Sequence, residues 1–106
     1  SYLAMIGLEQ LSNTIESVRK HSNKELEIAG ILLIKYSSRA NINNAVLSGL
    51  EKMSVKLNTK VFDSKIRETV KVKEAQSQQE PIIEWDASCS AVKDYLEFAK
   101  ELTSNL

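Results

Sequence analysis

Residues 26–34 read Leu26-Glu27-Ile28-Ala29-Gly30-Ile31-Leu32-Leu33-Ile34, and the part from Ile28 is the longest apolar run of the chain. Its side chains are continuously apolar or small instead of alternating with polar ones. Such a strand is usually covered on both faces, as in a parallel sheet. Residues 35–41 (KYSSRAN) are polar and follow the carboxyl end of this strand, where open α/β sheets place their ligands. We therefore predict a buried parallel strand that leads into a functional loop.

Helical periodicity flanks this strand on both sides. Apolar residues recur there at steps of three and four, which is one face of a helix. Before the strand they are Leu8, Leu11, Ile15 and Val18, and after it Ile42, Val46, Leu50, Met53 and Leu57. We predict that the first helix ends near Asn23 and the second at Asn58.

The second half of the chain is more polar. Residues 60–63 predict a short strand, and residues 64–80 predict a loop and a short helix. The stretch beginning with Pro81 is expected to be extended or turn-like. The apolar anchors expected between residues 64 and 80 are Ile66, Val70 and Val72.

A last helix is predicted over residues 88–104, with Asp86 or Ser88 as its cap. Together with the earlier elements it gives the order helix, strand, helix, strand, short helix, helix. This alternation predicts the α/β class with parallel strands. The residues expected on the buried face of the last helix are Ala91, Val92, Tyr95, Phe98, Ala99 and Leu102.

Composition excludes several kinds of function. The 106 residues carry 14 basic and 14 acidic side chains, so only a local patch can attract DNA. No apolar run is long enough to span a bilayer, and residues 1–11 lack the pattern of a signal peptide. Cys89 and His21 are the only residues of their kinds, so we expect no disulfide and no metal site. A reducing cytoplasm fits this composition.

The predicted sheet is too small to stand alone. Two strands do not cover both edges and both faces of a strand as apolar as residues 28–34. We therefore expect the chain to be incomplete as a domain and part of a larger sheet. By itself it is expected to self-associate or to exchange elements with another copy.

Several stretches resemble, in order, the ParA/Soj family of partition ATPases. Residues 2–11 (YLAMIGLEQL) are similar to the family's helix opening, and residues 28–33 (IAGILL) to its I-x-G-I/V-L-L-T strand. Residues 38–41 (SRAN) resemble its A/S-R-T-N loop. Residues 70–77 (VKVKEAQS) resemble V-R-L-x-E-A-P-S, and residues 81–86 (PIIEWD) resemble P-I-x-x-Y-D. The order of these motifs along nearly the whole chain carries the resemblance.

The chain also departs from the family pattern. Ile66 is followed directly by Arg67, where chromosomal members have Pro and then Arg, and Ser37 stands where an Asp is common. Residues 66–68 and 74–76 are closer to versions from Gram-positive plasmids. The family's phosphate-binding loop, whose backbone N–H groups and Lys hold the phosphates, belongs to the N-terminal half and is absent from this sequence.

The resemblance implies a fold and a cellular role. Residues 1–106 would be the C-terminal half of a ParA-like ATPase domain, a partial P-loop-type (deviant Walker) parallel sheet with flanking helices. The parent would bind ATP and magnesium, dimerise, coat DNA without sequence preference and respond to a ParB-like activator, in the cytoplasm at the nucleoid. It would move plasmid or chromosome copies apart. We expect this chain alone to bind neither cofactor and to have no ATPase activity.

The resemblance also implies binding residues. Arg39 matches a DNA-contacting Arg, and Lys71 falls at a second such position. Cationic side chains on polar loops release counterions from the duplex. Lys35 and Lys73 would extend this basic surface, with Arg67 beside them. The residues that match the loop against the nucleotide base are Ile66, Arg67, Glu68, Thr69 and Val70.

Simpler interpretations stay open at this point. The basic residues are also typical of solvated surface charges, which nearby Glu68 and Glu74 would weaken as a patch, and residues 66–70 are also typical of an ordinary strand-to-helix loop. Pairs such as Glu74 with Glu84 are better interpreted as surface carboxylates, so no catalytic residue is predicted.

The sequence is also compatible with a second kind of protein and argues against a third. The second kind is a non-enzymatic α/β interaction module that is related to the family by descent only. The third is a MinD-like membrane-cycling ATPase, which would end in a basic amphipathic helix. Residues 96–106 contain a single Lys, so the sequence disfavours it.

Overall fold

The computed structural model describes residues 2–36 and 44–104, with side chains over 6–34 and 47–104. Two strands, β1 and β2, form a parallel sheet and helices flank it, so the predicted α/β class is confirmed. The described elements are α1 (Tyr2–His21), β1 (Ile31–Tyr36), α2 (Asn44–Lys56), β2 (Val61–Arg67), α3 (Val70–Ser77), α4 (Ile82–Trp85) and α5 (Ser90–Ser104).

The chain divides into two compact units. The first comprises residues 1–31 and 42–61, and the second comprises residues 32–41 and 62–106. In the first unit α1 contacts α2, as expected for two amphipathic helices. Asn58 follows α2 with a φ of 55°, a left-handed conformation that Asn tolerates well, and so ends the helix as predicted.

The buried face of α1 differs from the predicted one. Leu11 is 53% exposed, whereas its neighbour Ser12 is fully buried. Leu8, Ile15 and Val18 are half-buried, as the periodicity predicts. The buried face of α1 is therefore centred one residue away from Leu11, and the small side chain of Ser12 fills the position where a leucine was expected.

The first strand begins later than predicted. The segment from Leu26 to Gly30 is irregular, and two of its carbonyl groups accept hydrogen bonds from side chains. Arg19 Nε donates to the Leu26 carbonyl and Thr59 Oγ1 donates to the Ile28 carbonyl, each at 2.8 Å. The ladder starts where the Ile31 N–H donates to the Lys60 carbonyl at 2.8 Å. At its other end β1 includes Lys35 and Tyr36, which were predicted to lie in the loop.

The second unit is built on β2, which is longer than the predicted strand over 60–63 and reaches Arg67. Buried residues of β2 and α5 form its core. Phe62 of β2 is 4% exposed, and its ring meets that of Phe98 edge to face with the centroids 4.9 Å apart. The core cluster consists of Ile66, Cys89, Ala91 and Val92, with Leu32, Val72, Ile82 and Phe98 packed against it.

Three local predictions in this unit differ from the structure. Pro81 is extended, but the residues after it, predicted to be extended or turn-like, form the one-turn helix α4. Val70 is 67% exposed and therefore is not an apolar anchor. Tyr95 and Ala99 were predicted on the buried face of α5, but Tyr95 is 44% exposed and Ala99 is exposed too. Cys89 is buried directly before α5.

Candidate functional site

A small cavity of about 190 Å³ lies at the carboxyl end of β2, within the second unit. It opens where β2 passes into α3, and α5 forms another part of its wall. Of the five residues predicted to face a nucleotide base, all but Val70 line it. The lining residues are Ile34, Ile66, Arg67, Glu68, Thr69, Val72, Lys73, Gln76 and Tyr95.

The loop beside the cavity is short and anchored at both ends. It consists of Glu68 and Thr69, between the last residue of β2 and the first residue of α3. Thr69 has an extended backbone and caps α3, with its hydroxyl accepting from the Lys71 N–H at 3.2 Å. Such a cap satisfies one of the free N–H groups of the first helical turn. Ile66, at 3% exposure, fixes the preceding strand in the core.

Arg67 forms a two-pronged ion pair with Asp94 of α5. Its Nε donates to Asp94 Oδ2 and its terminal NH2 to Oδ1, both at 2.9 Å, and its backbone N–H also donates to Oδ2 at 2.9 Å. The Asp94 side chain is only 14% exposed. These hydrogen bonds and the guanidinium charge lower the pKa of Asp94, and the same carboxylate raises the pKa of Arg67.

A second carboxylate of α5 also binds the backbone of β2. Glu101 accepts from the Asp63 N–H through Oε2 and from the Ser64 N–H through Oε1, both at 2.8 Å. Asp94 and Glu101 are seven residues apart, which places them on one face of α5 two turns apart. Three backbone donors of β2 therefore bond to side chains of α5. Bonds of this kind cover strand N–H groups that would otherwise pair with another strand.

The predicted DNA-binding lysines on α3 are each near a carboxylate. Lys71 Nζ lies 3.6 Å from Glu74, and Lys73 Nζ lies 3.6 Å from Glu68. The lysine side chains remain 49% and 70% exposed, so both are accessible to solvent. Such exposed pairs contribute little energy and are readily exchanged for other anions.

The remaining residues predicted to bind DNA or the nucleotide do not all lie at the cavity. Arg39 lies outside the described residues, and Lys35 lies in β1 with its side chain outside them. Arg67, which was considered as an extension of the basic patch, is engaged by Asp94 and is not a free cation. Val70 starts α3 but does not line the cavity. The structure therefore brings Lys73 to the cavity and leaves Lys71 outside its lining.

Two further carboxylates of the second unit, Glu74 and Asp86, have structural partners. Glu74 accepts from the Trp85 indole N–H at 3.2 Å. Asp86 Oδ1 accepts from the hydroxyl and the backbone N–H of Ser88, and these two bonds lower the pKa of Asp86. The two candidate caps of the last helix therefore bond to each other in the turn before α5.

Over residues 2–36 and 44–104, no three His, Cys, Asp or Glu side chains gather in a way that suits a metal ion. Within the same described ranges, no helix has the length and apolar character needed to cross a membrane.

Asp94 and Tyr95 were not recognised as site residues from the sequence. Tyr95 was assigned to the core because it follows the apolar period of the last helix, although it lines the cavity. Asp94 was not singled out, since an acidic residue on an amphipathic helix is typical of a solvated face. The spacing of seven between Asp94 and Glu101 was the available signal, because it places both carboxylates on one helical face.

The fold and the cavity define a class of protein. An α/β chain with a cavity at the carboxyl end of a parallel strand has the arrangement in which open α/β proteins bind ligands. Comparison with known proteins identifies the family within this class. The chain is 36% identical over 104 residues to the sporulation initiation inhibitor protein Soj of Bacillus subtilis. The aligned residues make up 98% of this chain and 40% of that protein.

Two further relatives give the same result. The chromosome partitioning protein ParA of Caulobacter vibrioides is 35% identical over 103 residues, covering 97% of this chain and 38% of that protein. The chromosome-partitioning ATPase Soj of Treponema pallidum is 31% identical over 103 residues, covering 97% and 40%. No family model matches the chain. The chain belongs to the ParA/Soj family, as its motifs indicated, and spans about 40% of the length of these curated relatives.

Proposed function

We propose that this chain is the C-terminal part of a partition ATPase that segregates plasmid or chromosome copies. In the full-length protein it would supply one wall of the nucleotide-base pocket and part of a DNA-binding surface. The observation that most supports this proposal is homology to ParA and Soj proteins over nearly the whole chain. Binding of ATP and magnesium, dimerisation and stimulation by a ParB-like activator would belong to the full-length protein.

The chemistry of the cavity supports contact with a nucleotide base. Its apolar lining residues include Ile34 and Ile66, and Tyr95 adds an aromatic ring. Glu68 and Gln76 bring hydrogen-bonding groups to the same wall. Ligand pockets generally combine apolar walls with a few polar groups in this way. At about 190 Å³ the cavity suits one part of a nucleotide, with the phosphates held by the phosphate-binding loop of the other half.

The exposure of the α3 lysines supports contact with DNA. Lys71 and Lys73 pair with glutamates at 3.6 Å and keep large exposed fractions, so a phosphate group can take the place of either glutamate. Arg39 and Lys35 would complete the surface. Binding of this kind depends on charge and not on base sequence.

Salt-dependent DNA binding by the full-length protein tests this proposal. We expect Arg39→Ala and Lys71→Ala to weaken binding to a random-sequence duplex and to reduce the slope of log affinity against log salt by about 0.9 per lost contact. Lys52→Ala is the matched control, because Lys52 is an exposed lysine on α2 in the other unit. Equal loss in all three variants, or no salt dependence, would contradict the proposed DNA surface.

The same protein distinguishes the proposal from the non-enzymatic alternative. A partition ATPase binds and hydrolyses ATP. An interaction module would bind a protein partner with little dependence on salt and would show no ATP turnover. ATP binding measured by calorimetry, together with phosphate release in the presence of DNA, decides between the two.

A further inference from the structure

Asp94 is the point at which three donors of one residue converge. The backbone N–H, the Nε and the terminal NH2 of Arg67 all donate to this carboxylate at 2.9 Å. Arg67 is the last residue of β2, and Glu68 and Thr69 follow it directly. The carboxylate therefore fixes both the backbone and the side chain at the point where the cavity loop begins.

The loop is fixed from its other end as well. Thr69 caps α3 through its own hydroxyl, so Glu68 alone lies between the two fixed residues. Two anchors this close leave the loop few alternative conformations. Tyr95, the next residue after Asp94, lines the same cavity. One turn of α5 therefore fixes the loop and also contributes to the cavity wall.

We infer that Asp94 is a positioning residue for the nucleotide-base pocket: it holds Arg67 and thereby sets the β2–α3 loop against the base. This inference rests on the proposed function, since it concerns the same pocket. Asp94 acts through Arg67 and does not touch the nucleotide.

Asp94→Asn in the full-length protein is the decisive variant. Asparagine keeps the size and one acceptor oxygen but turns an amide toward the guanidinium, so the two-pronged pair is lost. The two probes are ATP, which has a base, and inorganic tripolyphosphate, which has none. We expect Asp94→Asn to weaken ATP binding about tenfold and to leave tripolyphosphate binding unchanged, because only ATP reaches the loop.

Asp86→Asn is the matched control. Asp86 also accepts two hydrogen bonds, both from Ser88, but it does not line the cavity. We expect this variant to bind both probes as the wild type does. Arg67→Gln should reproduce the loss caused by Asp94→Asn, and the double variant should lose no more than either single change.

The outcomes separate the inference from the proposed function. If the wild-type protein binds ATP no more tightly than it binds tripolyphosphate, the proposed pocket is wrong. If the wild type prefers ATP and Asp94→Asn keeps that preference, the pocket stands and the positioning role of Asp94 is wrong. Parallel weakening of both probes would identify Asp94 as a general structural residue and would also overturn the inference.

Discussion

The carboxylate of Glu74 accepts a hydrogen bond from Trp85 and also lies beside Lys71, a predicted DNA contact. The indole N–H of Trp85 donates to Glu74 Oε2 at 3.2 Å, and the same oxygen lies 3.6 Å from Lys71 Nζ. The bond links α3 to α4, which pack on each other. Glu74 therefore holds two helices together and at the same time offsets part of the charge of Lys71.

This arrangement predicts that Glu74 weakens DNA binding. Glu74→Gln keeps an oxygen that accepts from Trp85 but removes the negative charge beside Lys71. We expect the full-length protein to bind duplex DNA about twofold to fivefold more tightly at low salt, with the gain disappearing at high salt. Fluorescence anisotropy with a labelled random duplex measures this change.

Glu51→Gln controls for the change in net charge. Glu51 is an exposed carboxylate on α2, which belongs to the first unit, whereas Glu74 belongs to the second. A gain of equal size in Glu51→Gln would mean that net charge alone is responsible. The fluorescence of Trp85, the only tryptophan of the sequence, should stay unchanged in Glu74→Gln.

The ion pair between Arg67 and Asp94 predicts a pH dependence of stability. The pKa of Asp94 in the folded chain lies below the ordinary value of 3.8, mainly because of the hydrogen bonds from Arg67. Its stabilisation is therefore fully present above the pKa of the unfolded chain and is lost as the pH falls through the folded pKa. We expect the melting temperature of the wild type to exceed that of Asp94→Asn by a constant amount near neutral pH.

That difference should close at acid pH. Below the unfolded pKa of about 3.9 the unfolded chain takes up a proton that folded Asp94 still resists, so the wild type loses this stabilisation and approaches the variant. Asp86 also has a lowered pKa, but both proteins contain it, so its effect cancels in the comparison. A difference that stays constant to pH 2, or that grows on acidification, would contradict the assignment of the ion pair.

Glu101 should stabilise β2 through the two N–H groups that it accepts. Glu101→Ala leaves the backbone donors of Asp63 and Ser64 without this partner, and we expect the free energy of unfolding to fall by about 1–3 kcal/mol. Glu101→Gln keeps one carbonyl acceptor and should lose less. Denaturant unfolding measures the loss, and hydrogen exchange should quicken at the amides of Asp63 and Ser64.

Glu97→Ala is the matched control for this prediction. Glu97 lies on the same helix, is 68% exposed and pairs with Lys100 at 3.3 Å. Surface pairs of this kind contribute little, so its removal should change the unfolding free energy by less than about 0.5 kcal/mol. Equal losses for Glu97→Ala and Glu101→Ala would point to helix propensity instead of the strand contacts.

Much of the fold follows from periodicity alone. The α/β order, the helices around Leu50 and Phe98 and the strand that contains Leu32 were all predicted, because the period of the apolar residues distinguishes helices from strands. The strand ends were not, because they depend on partners distant in sequence. The hydroxyl of Thr59, 31 residues further along the chain, donates to the carbonyl of Ile28, and no local sequence pattern reveals such a bond.

The site was predicted less completely than the fold. The loop residues Ile66 to Thr69 came from the family motif, and the cavity contains them. The partner of Arg67 was not predicted, because Asp94 lies 27 residues further along the chain and resembles any solvated helical carboxylate. Tyr95 was misassigned because an apolar period does not distinguish a core position from a cavity wall.

The exposure of β1 predicts self-association of the isolated chain. Ile34 is 56% exposed in β1, and within the described residues β1 pairs with β2 alone. An apolar strand with an open edge tends to pair with another chain. We expect the 106-residue chain to form dimers or larger species as its concentration rises, and Ile34→Lys to reduce this self-association.

Val55→Lys is the control for this prediction. It changes a 79% exposed apolar residue on α2 and should leave self-association unchanged. Light scattering after size exclusion measures the mass of each, and a wild-type chain that stays monomeric at high concentration would contradict the prediction.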